Sequence, residues 1–193
     1  MRPARNNPYN WTVRRISPKL AWLVGATAIA ACSSGWSPPD FALRDDGGNP
    51  WSLSQQRGKI VLLTFGFTHC RDTCPLTLAK LARLAGRLHS DSRHVEVAFV
   101  TVDPKRDTVA ALHRFVARYQ PLADGRIVGL TGAPAQIERV EAAYHIWSQP
   151  MPHDIAHSAV IYLIDARGRI RGIRDDDDSE ASLARLLEAM PSS

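Results

Sequence analysis

The feature that most constrains this chain is Ile60–Phe67, an almost unbroken apolar run that ends three residues before a pair of cysteines. An alternating pattern would mark a strand with one wet face. A continuous aliphatic and aromatic run of this length marks a strand covered on both faces, and such strands sit in sheets flanked by helices on either side. From Cys74 onward the apolar spacing changes to helical, at Leu78, Leu81, Leu84 and Leu88, and Pro75 falls where a first-turn proline is tolerated. Cys70 and Cys74 therefore lie just past the C-terminal end of a buried strand and at the start of a helix. Ligand crevices form in that position in α/β sheets.

The rest of the chain repeats this alternation. Phe41–Leu53 holds two short strand-like pieces around the turn Asp45-Asp46-Gly47-Gly48-Asn49. Val95–Val102 reads as a second buried strand closing at Asp103-Pro104. Thr108–Tyr119 reads as an amphipathic helix started by Asp107 or Thr108. Ile127–Leu130 is a short strand, Ala135–Tyr144 a short helix, and Trp147–Ser158 an irregular stretch. Ala159–Ile164 and Ile170–Ile173 form a hairpin through Asp165-Ala166-Arg167-Gly168, and Ser179 caps a last helix. The order is hairpin, βα, βα, βα, ββα, which predicts a three-layer α/β/α sandwich with an N-terminal β-hairpin. A buried strand leading to a cysteine pair at a helix start makes that sandwich thioredoxin-like.

Composition bears on partners and compartment. The net charge of +5 suggests a nucleic-acid surface until its distribution is read. Residues 1–31 carry five of the 24 basic residues and none of the 19 acids, so the chain from Cys32 onward is formally neutral. No nucleic-acid partner is expected. Arg14, Arg15 and Lys19 precede the apolar run Leu20–Ala31. At about 12 residues the run is too short for a hydrocarbon core that needs about 20. Residues 1–31 read as an export signal. Ile29-Ala30-Ala31-Cys32 resembles a bacterial lipobox, in which the cysteine becomes a lipid-bearing N-terminus. Residues 32–40 then form a flexible tether and 41–193 the folded domain. The predicted location is the bacterial cell envelope, membrane-anchored on the extracytoplasmic side through lipid on Cys32.

Export exposes thiols to oxidation. With Cys32 lipidated, Cys70 and Cys74 alone remain, and a disulfide between them would close too small a loop to serve as a staple. Their purpose is chemical. Helix N-terminal amides favour a thiolate on Cys74. Two thiolates suit monovalent copper or zinc. They equally suit a redox pair widened by one residue, and the cysteines alone do not choose. Seven histidines offer a third ligand. His89 and His94 flank a loop, and His69 adjoins Cys70 without having to face it. His157 precedes a strand, a position that is usually structural.

Three segments together carry a resemblance. Phe65-Gly66-Phe67-Thr68-His69-Cys70-Arg71-Asp72-Thr73-Cys74-Pro75 resembles the copper-binding loop of the Sco/SenC family of copper chaperones. Val102-Asp103-Pro104-Lys105-Arg106-Asp107-Thr108 resembles its second motif, and His157-Ser158-Ala159-Val160-Ile161-Tyr162-Leu163-Ile164-Asp165 its third. The resemblance runs from about Phe41 to Met190. It implies one copper ion per chain held by Cys70, Cys74 and His157, with Asp103 as an acidic residue near the site and Cys70–Cys74 as a redox disulfide. It implies delivery of copper to the binuclear copper centre of a haem-copper oxidase. The partners would be a copper-recipient oxidase subunit and a periplasmic thiol reductant or copper donor. The chain is then a metallochaperone rather than an enzyme. The alternatives are a thiol–disulfide oxidoreductase and a copper or redox sensor. Two further features are weighed. Asp175–Asp178 reads as a solvated loop before the Ser179 helix. Met151 and His153, close to His157, offer a relay for the ion, against a loop merely stiffened by Pro150 and Pro152.

Overall fold

A computed structural model describes residues 37–90, 94–124, 126–152 and 154–190. The segment expected to be an export signal, Cys32 and the first part of the expected tether lie outside the described residues, as does His153.

A seven-stranded mixed sheet organises the domain, in the order β2-β1-β5-β4-β3-β8-β9. β1 (Ala42–Asp45) and β2 (Pro50–Ser52) are the predicted N-terminal hairpin, and β1 joins the sheet antiparallel to β5 (Ile127–Thr131). β3 (Ile60–Gly66) lies at the centre, parallel to β4 (Val95–Thr101) and antiparallel to β8 (Val160–Ile164). β9 (Ile170–Asp175) forms the far edge against β8. Every residue of β3 is buried, as a strand covered on both faces must be.

The side chains of β3 alternate between two cores. Ile60 and Leu62 pack with α1 (Thr73–Ser90), α2 (Val109–Val116) and α5 (Glu180–Glu188) through Leu78, Leu81, Phe115 and Leu187. Val61, Leu63 and Phe65 point to the opposite face, where Trp51, Leu53 and Ile137, Val140 and Tyr144 of α4 (Pro134–Ala143) and its end cover them. β4 alternates likewise, with Val97 and Phe99 on one face and Ala98 and Val100 on the other. This is the thioredoxin-like three-layer α/β/α arrangement. Thr108 caps α2 by accepting a hydrogen bond from the Ala111 amide at 3.2 Å, and Ser179 caps α5 through the Ser182 amide at 3.2 Å.

Three segments differ from the sequence reading. The predicted helix to Tyr119 ends at Val116, and a separate short helix α3 (Gln120–Ala123) follows, because Pro121 at its start cannot continue an existing ladder. β9 runs two residues beyond Ile173, since an edge strand with one free side tolerates the charged Arg174 and Asp175. Trp147–Ser158 is not irregular. It folds as a small hairpin of β6 (Ser148–Pro150) and β7 (Ile155–His157), with Ser148 paired to His157. Its strands are three residues each, and Pro150 ends the first, so they are too short for a period-two pattern to be visible.

Candidate metal centre

The parallel register aligns Gly66 of β3 with Thr101 of β4, so the segments that follow these strands leave the sheet side by side. Asp107 ties them together. Fully buried, its carboxylate accepts hydrogen bonds from the Thr68 amide at 3.0 Å, the Thr68 hydroxyl at 2.6 Å and the Thr101 hydroxyl at 2.7 Å. The sequence marked Asp107 only as a helix start and as one residue of the Val102–Thr108 motif, with no role in holding the cysteine loop. Its role depends on three partners 6 and 39 residues away.

Cys70 and Cys74 are both free thiols, the first half-buried and the second buried. The Cys74 amide, in the first turn of α1, donates to Cys70 Sγ at 3.4 Å, and the two side chains are in contact. Cys74 Sγ turns inward, over the end of β3. A Cβ on Gly66 would stand 2.8 Å from this sulfur and 2.7 Å from Phe99 Cε2, so no side chain fits at Gly66 while Cys74 keeps its place. Burial pushes the Cys74 thiol well above the ordinary range, and a backbone hydrogen bond from Phe67 offsets this only in part. The expected thiolate stabilisation of Cys74 by helix amides is therefore not realised. The helix-start amide serves Cys70, because the loop between the cysteines lays Cys70 against the helix end and drives Cys74 into the core.

His157 reaches this region from β7. Its Nδ1 lies 2.9 Å from the Ser158 carbonyl oxygen and donates to it, which leaves Nε2 as the free nitrogen. The ring meets Phe67 edge-on, with centroids 5.9 Å apart. The hairpin is closed by paired contacts between Trp147 and Ser158: the Ser158 amide donates to the Trp147 carbonyl at 2.8 Å, and the Trp147 amide to Ser158 Oγ at 3.0 Å. His157 and Cys74 line one crevice, together with Thr73, Phe65, Ala159 and Asp176. Asp176 was expected in a solvated loop. Burial and the adjacent Asp177 push its carboxyl up from the usual carboxylate range, while Lys80 and His157 act in the opposite direction.

Asp103 is buried at the end of β4 but does not line this crevice. Its amide donates to Thr101 Oγ1 at 2.9 Å and its carboxylate pairs with the Arg106 guanidinium. It stands with His69 and Asp107, whose ligand atoms all lie within 4.8 Å of one another. Such a triad has the composition of a metal site, but its donors are already used: Arg106 holds Asp103, and three donors fill Asp107. A dication would also face the Arg106 charge. The triad is a clamp on the cysteine loop. His69 sits on it half-exposed, with Nδ1 3.2 Å from the Thr68 hydroxyl.

The other described histidines lie elsewhere. His89 contacts Asp124 at 3.3 Å and Arg126 at 3.0 Å, and His113 contacts Asp46 at 3.0 Å. Met151 is exposed at the hairpin tip.

The SCO1/SenC family model matches residues 36–191, nearly the whole described domain. The chain belongs to the SCO1/SenC family. Among curated relatives, the mitochondrial SCO2 homologue of Bos taurus is 40% identical over 137 residues, which cover 67% of this chain and 50% of the relative. The chain spans about half the length of the relatives of this kind that it matches. Among solved structures, copper-bound ScoI of Arabidopsis thaliana superposes with a TM-score of 0.72 at 30% identity, covering 78% of this chain and 96% of that one. Copper-bound ScoI of Bradyrhizobium japonicum gives 0.70 at 29% identity, covering 80% and 99%. SCO1/SenC membership agrees with the motif resemblance, and the superpositions agree with the thioredoxin-like α/β fold.

Proposed function

We propose that this SCO1/SenC chain carries one copper ion bound by Cys70, Cys74 and His157, and delivers it to the copper centre of a cytochrome c oxidase on the extracytoplasmic side of a membrane. The observation that carries the reading is the crevice lined by both Cys74 and His157, with Cys70 in contact with Cys74. The copper-bound state of the two superposed relatives supports the choice of metal.

The donor set fits the cargo. Two sulfurs and one imidazole satisfy monovalent copper, a soft ion content with low coordination. A site of three ligands keeps a position open, so a recipient's ligand can enter before one of the chaperone's leaves. Half-exposed Cys70 is the sulfur placed for that first exchange, and buried Cys74 the one placed to leave last. Cys74 binds copper only by giving up its proton, so uptake exchanges a proton for the ion. Reduction of any Cys70–Cys74 disulfide must come first. The proposed tether is lipid on Cys32.

The test is metal content. The reduced chain is expected to retain about one copper per molecule after desalting, and the disulfide-oxidised chain and the Cys70→Ala and Cys74→Ala variants none. Full copper at equal affinity in either variant defeats the assignment.

A second reading draws on the same cysteines. One accessible and one buried thiol is also the arrangement of a dithiol reductase, in which the accessible sulfur attacks and the buried one resolves. His157 separates the two readings, because disulfide exchange needs no imidazole.

A further inference from the structure

Asp176 also enters the crevice that Cys74 and His157 line, and the copper reading alone gives it no task. It belongs to the run Asp175–Asp178, but the four acids are not equivalent. Asp175 and Asp177 are exposed, and Asp178 pairs with Arg174 at 3.7 Å. Asp176 alone among them lines the crevice.

Its placement is fixed by backbone. β9 ends at Asp175, opposite Val160, and the Asp176 amide extends the ladder by donating to the Ala159 carbonyl at 3.1 Å. Asp176 thus stands beside the residue two positions after His157. Lys80 of α1 fastens the turn by donating to the carbonyl oxygens of Asp176 and, at 2.7 Å, of Asp178. The cation thus holds main-chain oxygens, and among the described residues none donates a hydrogen bond to the Asp176 carboxylate. Asp176 is thus a half-buried residue of the crevice wall, close enough to His157 for the two charges to act on each other.

We propose that Asp176 is an oxygen donor to divalent copper in this crevice, and that it sets the balance between the two oxidation states of the bound ion. The proposal rests on the Cys70, Cys74 and His157 reading. Monovalent copper is satisfied by sulfur and nitrogen and gains little from a carboxylate. Divalent copper prefers nitrogen and oxygen donors and a fourth position in a tetragonal set. A carboxylate beside the imidazole supplies that position, and its charge favours the doubly charged ion over the singly charged one.

The experiment compares the reduced wild-type chain with Asp176→Asn and Asp177→Asn, each checked for folding by thermal unfolding. Asp177→Asn removes the same charge from an exposed neighbour. Monovalent and divalent copper affinities are measured by chelator competition, and the divalent form is examined by electron paramagnetic resonance. Asp176→Asn is expected to weaken divalent copper at least tenfold, to change the copper hyperfine splitting, and to leave monovalent affinity within about threefold. Asp177→Asn is expected to change none of these. If Asp176→Asn keeps the wild-type spectrum and divalent affinity, or only matches Asp177→Asn, the inference is overturned while the copper site stands. If the wild-type chain binds no copper, both are overturned.

Discussion

Removing the Asp107 carboxylate tests whether the cysteine loop is held from below. In Asp107→Ala the Thr68 amide, the Thr68 hydroxyl and the Thr101 hydroxyl lose their acceptor together. Hydrogen bonds to a charged group contribute about 1.5–3 kcal/mol each, but three on one carboxylate do not add, and the hydroxyls can rotate to other partners. The amide cannot. A loss of about 3–5 kcal/mol follows, the usual cost of breaking a buried charged network. For a domain of this size each kcal/mol lowers Tm by about 2–4 °C, so a fall of about 10 °C is expected. Thr68→Val removes one of the three bonds at almost constant shape and is expected to cost about 1–2 kcal/mol. Because both variants delete the same contact, the double variant should lose less than the sum, by about 1 kcal/mol or more. Thermal unfolding by circular dichroism of the four proteins reads all of this. Asp107→Ala within about 2 °C of wild type, or strict additivity with Thr68→Val, would refute the clamp.

Other outcomes follow from the same geometry. Gly66→Ala presses a methyl group on Cys74 Sγ and the Phe99 ring, and should cost about 1–3 kcal/mol and weaken copper binding, measured by unfolding and chelator competition. Burial holds the Cys74 thiol protonated through the neutral range, so binding must release that proton. Monovalent copper affinity should therefore rise with pH, by about tenfold per unit for each proton released, and a flat profile from pH 6 to 8 would contradict the burial of Cys74. Mass spectrometry of the native membrane fraction should find a chain that begins at Cys32 with added acyl mass.

Most of the scaffold was legible because it rests on local pattern. The unbroken run in β3 announced a central strand, the Leu78–Leu88 spacing announced α1, and Thr108 and Ser179 announced helix starts by their capping chemistry. What escaped notice depends on tertiary placement. The β6–β7 hairpin has strands of three residues each, too short to show a period. Asp107 looks like any helix-start acid until Thr68 is brought to it. Asp176 looks like one of four solvated acids, and only the pairing of β9 with β8 separates it from its neighbours. The assumption about the thiols failed for a related reason: sequence places Cys74 at a helix start, but only packing against Gly66 and Phe99 shows that its sulfur faces the core and that Cys70 receives the amide.

The central claim is that His157 completes a copper site with the two cysteines, and the folded His157→Ala variant tests it most directly. Copper affinity and reduction of a model disulfide are measured on the same preparation. Loss of divalent copper binding with dithiol activity intact is the predicted result. Wild-type affinity for both copper states in His157→Ala would contradict it.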